Sequence, residues 1–199
     1  MPEIDGVAMT GKLKKDFRTC HIPVILLTAK VTEESMLTGL DVGANDYIAK
    51  PFNKHELLLK IRNNIVAGEK MREKIRMELL SETPKFEVQS ADEKFLVKVK
   101  ETIQNRLADE QLGVESLAQD IGLSRVQLYR KITALTGISV NEMIRSFRLQ
   151  KAAQLLEQDW GSISQITYEV GFSNPSYFSK CFKDHFGVMP SEYSTKKFR

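Results

Sequence analysis

Along residues 92–199 the apolar side chains recur every three or four positions, which is the spacing of helices with one buried face. Serines open several of these runs, each followed three residues later by glutamate or glutamine, so that the two side chains satisfy free backbone N–H groups at a helix start. These serines are Ser90, Ser124, Ser139 and Ser162. Asn174-Pro175 marks a further start, because asparagine caps helices well and proline suits their first position. The pattern predicts an all-α domain of many helices.

This helical half of the chain repeats itself. The segment LAQDIGLS at residues 117–124 aligns with ITYEVGFS at residues 166–173. Each copy predicts a short helix, a glycine in a tight turn and a second helix, which is the order of a helix-turn-helix motif. The two motifs are expected over residues 113–137 and 162–187.

The second helix of each copy is predicted to have one apolar face and one polar face. The outer faces carry Val126, Tyr129, Arg130 and Thr133 in the first copy, and Ser176, Ser179, Lys180 and Lys183 in the second. Both faces are cationic and free of carboxylates, and a helix of this kind fits the major groove of DNA. An ordinary solvated helix would explain one such face, but two matching copies favour DNA reading.

The apolar residues near these faces are predicted to be core or spacer packing rather than DNA contacts. They are Leu128, Ile132, Trp160, Phe178 and Phe182. Cys181 is likewise predicted to be a packed side chain rather than a reactive thiol.

Residues 92–199 resemble the AraC-type DNA-binding domain, in which a long helix joins two helix-turn-helix units. The resemblance rests on LSRVQLYRK (residues 123–131), VGFSNPSYFSKCFK (residues 170–183) and FGVMPSEY (residues 186–193). It implies base-reading roles for Val126, Tyr129, Arg130, Pro175, Ser176 and Lys180. It implies DNA-backbone contacts for Ser124, Arg125, Asn174, Tyr177 and Lys183. Pro175 departs from the family pattern, because proline offers no N–H group and can make only apolar contact.

The first half of the chain alternates short apolar runs with helical patterns. The run PVILL at residues 23–27 predicts a buried strand, and residues 46–49 predict a second one. A helix is expected between them, from Glu33 to about Val42 and closed by Gly43, and another from near Asn53. This alternation predicts an α/β fold with parallel strands. Thr28 and Lys50 follow the two strands, where a hydroxyl and an ammonium group would form an anion site.

Residues 1–68 resemble the C-terminal part of a response-regulator receiver domain, on the segments MPEIDG (residues 1–6), LTA (residues 27–29) and GANDYIAKPF (residues 43–52). The resemblance implies that Thr28 and Lys50 contact the phosphoryl group in a complete domain. It also implies that Tyr47 is an aromatic switch and that the Lys50–Pro51 peptide bond is cis. The family's phosphoacceptor aspartate and acidic metal pair fall before Met1, and Asp5 is the loop aspartate instead. Thr28 and Lys50 are therefore expected to be relics of a phosphate site.

Residues 69–91 are predicted to be a helical linker that stops before Pro84. Its apolar positions suit a solvated helix packed on its own domain. A coiled-coil dimer seam is the alternative, since four apolar residues fit heptad spacing, although Gly68 and Arg72 interrupt that seam. The four are Ile61, Ile65, Ile75 and Leu79.

Composition excludes several classes of protein but does not by itself indicate a function. Hydrophobic residues make up 42% and charged residues 28% of the chain, and the net charge is only +3, so a basic DNA-binding surface must be local. No apolar run is long enough to span a membrane, and the start is not a secretory signal. Two cysteines, Cys20 and Cys181, favour a reducing cytoplasm over a disulfide framework. No catalytic or metal-ligand spacing occurs, so we expect no enzyme activity, cofactor or metal.

The chain is thus predicted to be mainly α, with an all-α double helix-turn-helix domain after a truncated α/β, flavodoxin-like receiver fragment. The predicted function is sequence-specific DNA binding in transcription regulation, as the output part of a two-component phosphorelay that here lacks the phosphoacceptor aspartate. The resemblance suits free-standing response regulators and also hybrid sensors of carbohydrate use, in which the chain would be the cytoplasmic end of a membrane protein. Expected partners are double-stranded DNA, RNA polymerase and a second copy, because an incomplete receiver exposes sheet edge and apolar face.

A dimerisation or protein-interaction module that does not read DNA is the alternative function. Salt would discriminate between the two, because phosphate contacts make DNA affinity fall steeply as salt concentration rises.

We expect that this chain neither binds Mg²⁺ at Thr28 and Lys50 nor accepts a phosphoryl group. Mass spectrometry after incubation with acetyl phosphate should show no stable adduct. A single stable adduct on an aspartate would contradict this expectation.

Overall fold

The computed structural model of the chain describes residues 5–16, 18–29, 39–80 and 90–195. Parts of three predictions lie outside these residues: the loop over residues 1–6, the helix from Glu33, and the break at Pro84. The chain divides into two compact units, one built mainly on residues 1–77 and one mainly on residues 78–199. Among the described residues, no helix combines the length and the apolar character needed to cross a membrane.

The first unit mixes helices with parallel strands. Its elements are α1 (Gly6–Lys15), β1 (Ile25–Thr28), β2 (Asp46–Ala49) and most of the long helix α2 (Lys54–Leu80). Asp5 caps α1, because its carboxylate accepts a hydrogen bond from the Ala8 N–H group at 2.7 Å. Helix α1 is not predicted by the sequence pattern, in which Asp5 resembles a loop aspartate.

The two strands pair in parallel, with Thr28 opposite Ala49, and the predicted parallel α/β arrangement is confirmed. The prediction that β1 is a buried strand is wrong, because all four of its residues keep some exposure. Successive side chains of a strand point to opposite faces, and Leu26 lies close to Gly6 and Gly39. Leu27, on the other face, is 46% exposed.

Helix α2 runs for 27 residues without interruption and passes through Gly68. Ile61 and Ile65 are exposed, whereas Leu79 is fully buried within the second unit. The residues proposed for a coiled-coil seam therefore differ in their burial.

The second unit is all α. Its helices are α3 (Ala91–Asn105), α4 (Val114–Ile121), α5 (Arg125–Thr136), α6 (Val140–Glu157), α7 (Ile163–Glu169), α8 (Pro175–Phe186) and α9 (Pro190–Thr195). Helices α4 and α5 form the first helix-turn-helix pair, α7 and α8 form the second, and α6 joins the two pairs. This is the double helix-turn-helix arrangement that the repeat predicts.

Local capping bonds begin several of these helices. At α7 the Ser162 hydroxyl accepts a hydrogen bond from the Gln165 N–H group, while the Gln165 amide oxygen accepts one from the Ser162 N–H group. Ser124 and Gln127 form the same reciprocal pair at α5. Such caps contribute about 1 kcal/mol each. They fix where each helix starts and so which side chains share a face.

The core of the second motif is built on α6. Leu149, Leu155 and Leu156 of α6 are buried with Phe178 and Phe182 of α8 in one apolar cluster. The ring centroids of the two phenylalanines lie 5.7 Å apart in a tilted arrangement, which is favourable for aromatic pairs. Burial of each such side chain stabilises the fold by roughly 1.5–3 kcal/mol. Helix α8 is therefore fixed along one side.

Gly122 and Gly171 occupy equivalent turns of the two motifs and differ in their surroundings. Both have positive φ angles, +82° and +79°, which side chains other than glycine rarely adopt. A Cβ atom on Gly171 would lie 2.2 Å from the Leu107 carbonyl oxygen, whereas nothing lies within 4 Å of a Cβ atom on Gly122. Gly171 is therefore required both for its positive φ angle and for the close approach of Leu107, whereas Gly122 is required only for its positive φ angle.

We predict that Gly171→Ala destabilises the second unit much more than Gly122→Ala. The Gly122 variant should lose about 1–2 kcal/mol, the cost of the left-handed conformation. The Gly171 variant should lose roughly 3 kcal/mol or more, because the Leu107 carbonyl must also move. Urea-induced unfolding followed by circular dichroism measures both losses. Equal losses in the two variants would contradict the structural difference.

Candidate nucleic-acid interface

Helix α5 presents the predicted base-reading residues of the first motif on one open face. Val126 and Tyr129 are about half exposed, at 55% and 50%, and Arg130 is also exposed. Leu128 and Ile132, predicted as core, are fully buried on the opposite side. The structure thus brings the three predicted readers together and separates them from the packing residues.

The outer face of α5 is shorter than predicted, because Thr133 does not belong to it. The Thr133 hydroxyl oxygen is buried and has no hydrogen-bond partner among the described residues. Lys131 and Ile132, which precede it, are only 2% and 0% exposed. The three predicted readers lie in the first two turns of α5, the part of a recognition helix that usually contacts base edges.

Lys131 is a buried cation that the sequence analysis did not identify. Its Nζ atom lies 5.1 Å from the centroid of the Phe95 ring on α3, where the ring face attracts a positive charge. Lys131 therefore helps to pack α5 against α3. The cations on the exposed side of α5 are Arg125 and Arg130.

Arg125, a predicted backbone contact, forms an ion pair with Glu115 of α4. The Nη1 and Oε1 atoms are 2.9 Å apart, and the two side chains are 67% and 74% exposed. Exposed pairs of this kind are worth about 0–1 kcal/mol. The guanidinium group can thus leave Glu115 for another anion at little cost. Ser124, a second predicted backbone contact, forms the N-terminal cap of the same helix.

Helix α8 repeats this arrangement in the second motif. Phe178 and Phe182 are fully buried. The open side carries Ser176, Tyr177, Lys180 and Lys183, and also Asp184, so the prediction that this face is free of carboxylates is wrong. Asn174 caps the helix, since its side-chain oxygen accepts a hydrogen bond from the Tyr177 N–H group at 2.9 Å, and Pro175 occupies the first helical position. Asn174 therefore has a structural role beside the predicted DNA contact.

Trp160 is not part of the core, so the first of the two roles predicted for it, core or spacer packing, is wrong. The side chain is 51% exposed. It lies in the turn between α6 and α7, directly after Asp159, which has a φ angle of +53°. The Trp160 N–H group donates to the Leu155 carbonyl at 3.1 Å. The backbone of Trp160 thus closes α6 while its ring points outward.

In the first unit, the structure places Thr28 and Lys50 side by side at the ends of the paired strands. The Lys50 N–H group donates to the Thr28 carbonyl at 2.7 Å, and the Lys50–Pro51 bond is cis as predicted. Lys60 donates to the Asp46 carboxylate at 2.7 Å, and this hydrogen bond raises the pKa of Lys60. Within the described residues, no cluster of three or more His, Cys, Asp or Glu side chains could hold a metal ion.

Two family models match the chain. One describes a response regulator receiver domain and matches residues 1–62. The other describes a helix-turn-helix domain and matches residues 117–196. They correspond to the two parts in which the candidate residues lie.

Individual relatives match almost the whole chain or about a third of it. Histidine kinase P4 of Formosa agariphila is 40% identical over 196 residues, which are 98% of this chain and 14% of that protein. The phosphate regulon transcriptional regulatory protein PhoB of Pseudomonas aeruginosa is 44% identical over 62 residues, which are 31% of this chain and 27% of that protein. The chain therefore spans a minor part of the length of these relatives.

Among solved structures, the C-terminal domain of AraT, a response regulator from Geobacillus stearothermophilus, matches with a TM-score of 0.50 and 32% identity. The match covers 54% of this chain and 88% of that domain. Family and fold are those of DNA-binding transcription regulators. The chain belongs to the two-component proteins in which an AraC-type helix-turn-helix domain follows response-regulator receiver sequence.

Proposed function

We propose that this chain reads specific DNA sequences and regulates transcription in the bacterial cytoplasm, as the output part of a two-component phosphorelay. One observation carries the proposal: two equivalent helices, α5 and α8, each begin at a side-chain cap, bury one apolar face and expose a cationic one. Two such helices on one joining helix suit successive segments of the major groove.

Arg130 and Lys180 are the residues on which base reading should depend most. They occupy matching positions in the two copies, and both are exposed. Neither forms an ion pair with any residue that the structure describes. An arginine fork can donate two hydrogen bonds to the O6 and N7 atoms of guanine. The other proposed base contacts are Val126, Tyr129, Pro175 and Ser176.

The remaining contacts would hold the phosphate backbone. Capped helix starts present free N–H groups, and these groups bind phosphate together with nearby hydroxyl and cationic side chains. The proposed backbone contacts are Ser124, Arg125, Asn174, Tyr177 and Lys183. They would set the position of the protein on the duplex, whereas the open faces of α5 and α8 would supply the sequence preference.

We also propose that residues 1–68 form a homodimer, which would place four recognition helices on direct or inverted half-sites. Apolar side chains of this unit stay exposed, including Leu27, Leu58 and Ile65 at 46%, 52% and 54%, and such patches recruit partners. A regulator bound in this way would be positioned to contact RNA polymerase. Light scattering at high protein concentration should give the mass of a dimer. A monomer mass would overturn this part of the proposal.

We predict that the chain enriches a motif from random-sequence duplex DNA, with two short elements about ten base pairs apart. The double variant Arg130→Ala, Lys180→Ala should lose that enrichment. Each substitution should weaken binding roughly 5- to 150-fold, since one good base contact is worth about 1–3 kcal/mol.

A matched control removes two other exposed cations, Lys94 on α3 and Lys151 on α6. The variant Lys94→Ala, Lys151→Ala has the same net charge as the test variant and should enrich the same motif as the unaltered chain. Loss of enrichment in both double variants would point to bulk charge rather than base reading. A flat salt dependence of binding would instead favour a protein-interaction module.

A further inference from the structure

A cluster of hydrogen bonds joins the two helix-turn-helix motifs through α6. Arg148 of α6 donates from Nη2 to the Asp109 carbonyl at 2.6 Å and from Nε to the Leu107 carbonyl at 3.2 Å. Both carbonyls belong to the loop between α3 and α4. Arg148 thus fastens the backbone just before the first motif to the helix that carries the second.

The same loop presses against the turn of the second motif. A Cβ atom on Gly171 would lie 2.2 Å from the Leu107 carbonyl oxygen and 2.9 Å from Arg148 Nη2. Gly171 lies between α7 and α8, immediately before the segment that begins the recognition helix. Because Gly171 has no side chain, its backbone, the Leu107 carbonyl and the Arg148 guanidinium group can lie close together.

The loop is also fastened to the first motif. Arg106, at the end of α3, donates to the Asp109 carboxylate at 2.6 Å and forms a second ion pair with Asp120 of α4. The hydrogen bond from Arg106 lowers the pKa of the Asp109 carboxyl group, so this carboxylate stays charged at neutral pH. An unbroken series of contacts therefore runs from α4 to the turn before α8.

The geometry points to Arg148 as a positioning residue that sets the spacing at which the two motifs read DNA. We call Arg106, Leu107, Asp109, Arg148 and Gly171 the junction. Helix α6 alone fixes the distance between the motifs, but its ends leave their rotation about the helix open. The bidentate guanidinium group of Arg148 removes that freedom, because both of its acceptors are backbone atoms of the loop that leads into the first motif.

The inference rests on the proposed function and gives it a measurable property. One base pair added between the two DNA elements moves one of them by about 3.4 Å and turns it by about 35°. If the junction is rigid, the two motifs cannot move to match the shifted DNA element. If the junction is weakened, they can. The unaltered chain should therefore discriminate sharply between spacings, and chains with a weakened junction should not.

The test measures the affinity of the full chain for the selected duplex and for duplexes with one base pair added or removed between the elements. The unaltered chain should bind the altered duplexes at least about tenfold more weakly, a loss of about 1.4 kcal/mol. Arg148→Lys keeps the positive charge but cannot donate from two nitrogen atoms to both carbonyls. It should reduce the preference for the original spacing to about threefold or less. Lys151→Met, on the same helix but outside the junction, should keep the tenfold preference.

A second variant covers the case in which Arg148→Lys does not fold. Asp120→Asn breaks only the partly exposed ion pair between Arg106 and α4, a kind of contact that adds little to stability, and it should also reduce the spacing preference. A folded junction variant that weakens binding equally at all spacings would overturn the inference. So would an unaltered chain that binds its site but tolerates changed spacing. An unaltered chain without any sequence-specific binding would instead overturn the proposed function.

Discussion

The open faces of α5 and α8 depend on the burial of the opposite faces of the same helices. Leu128 and Ile132 anchor α5, Phe178 and Phe182 anchor α8, and all four side chains are fully buried. Helices of 12 residues are marginal in water when isolated. Packing therefore supplies the stability that lets Arg130 and Lys180 remain exposed. A cationic surface of this kind can form on a chain whose net charge is only +3.

The parts of the fold that the sequence could predict are those decided by neighbours a few residues apart. Caps such as Ser162 with Gln165 span three positions, and the internal repeat gives two chances to detect the same motif. The parallel strands were predictable from their apolar runs and from the receiver resemblance. The positions of the recognition helices followed from these local signals.

The parts that could not be predicted depend on distant contacts. Lys131 is buried because the Phe95 ring, 36 positions earlier, lies beside its Nζ atom. The bond from Arg148 to the Leu107 carbonyl spans 41 positions. Trp160 looked like a core residue by type alone, but the turn after α6 directs it outward. No periodicity in the sequence encodes these partners, so the width of each exposed face is known only from the fold.

The central claim is that both recognition helices of one chain enter successive major-groove segments of the same duplex. Dimethyl sulfate, which methylates the N7 atom of guanine in the major groove, tests this claim directly on a bound duplex. The account predicts two protected guanine patches on one face of the DNA, about ten base pairs apart for each bound chain. A single protected guanine patch for each chain, on a duplex with guanines in both elements, would contradict it.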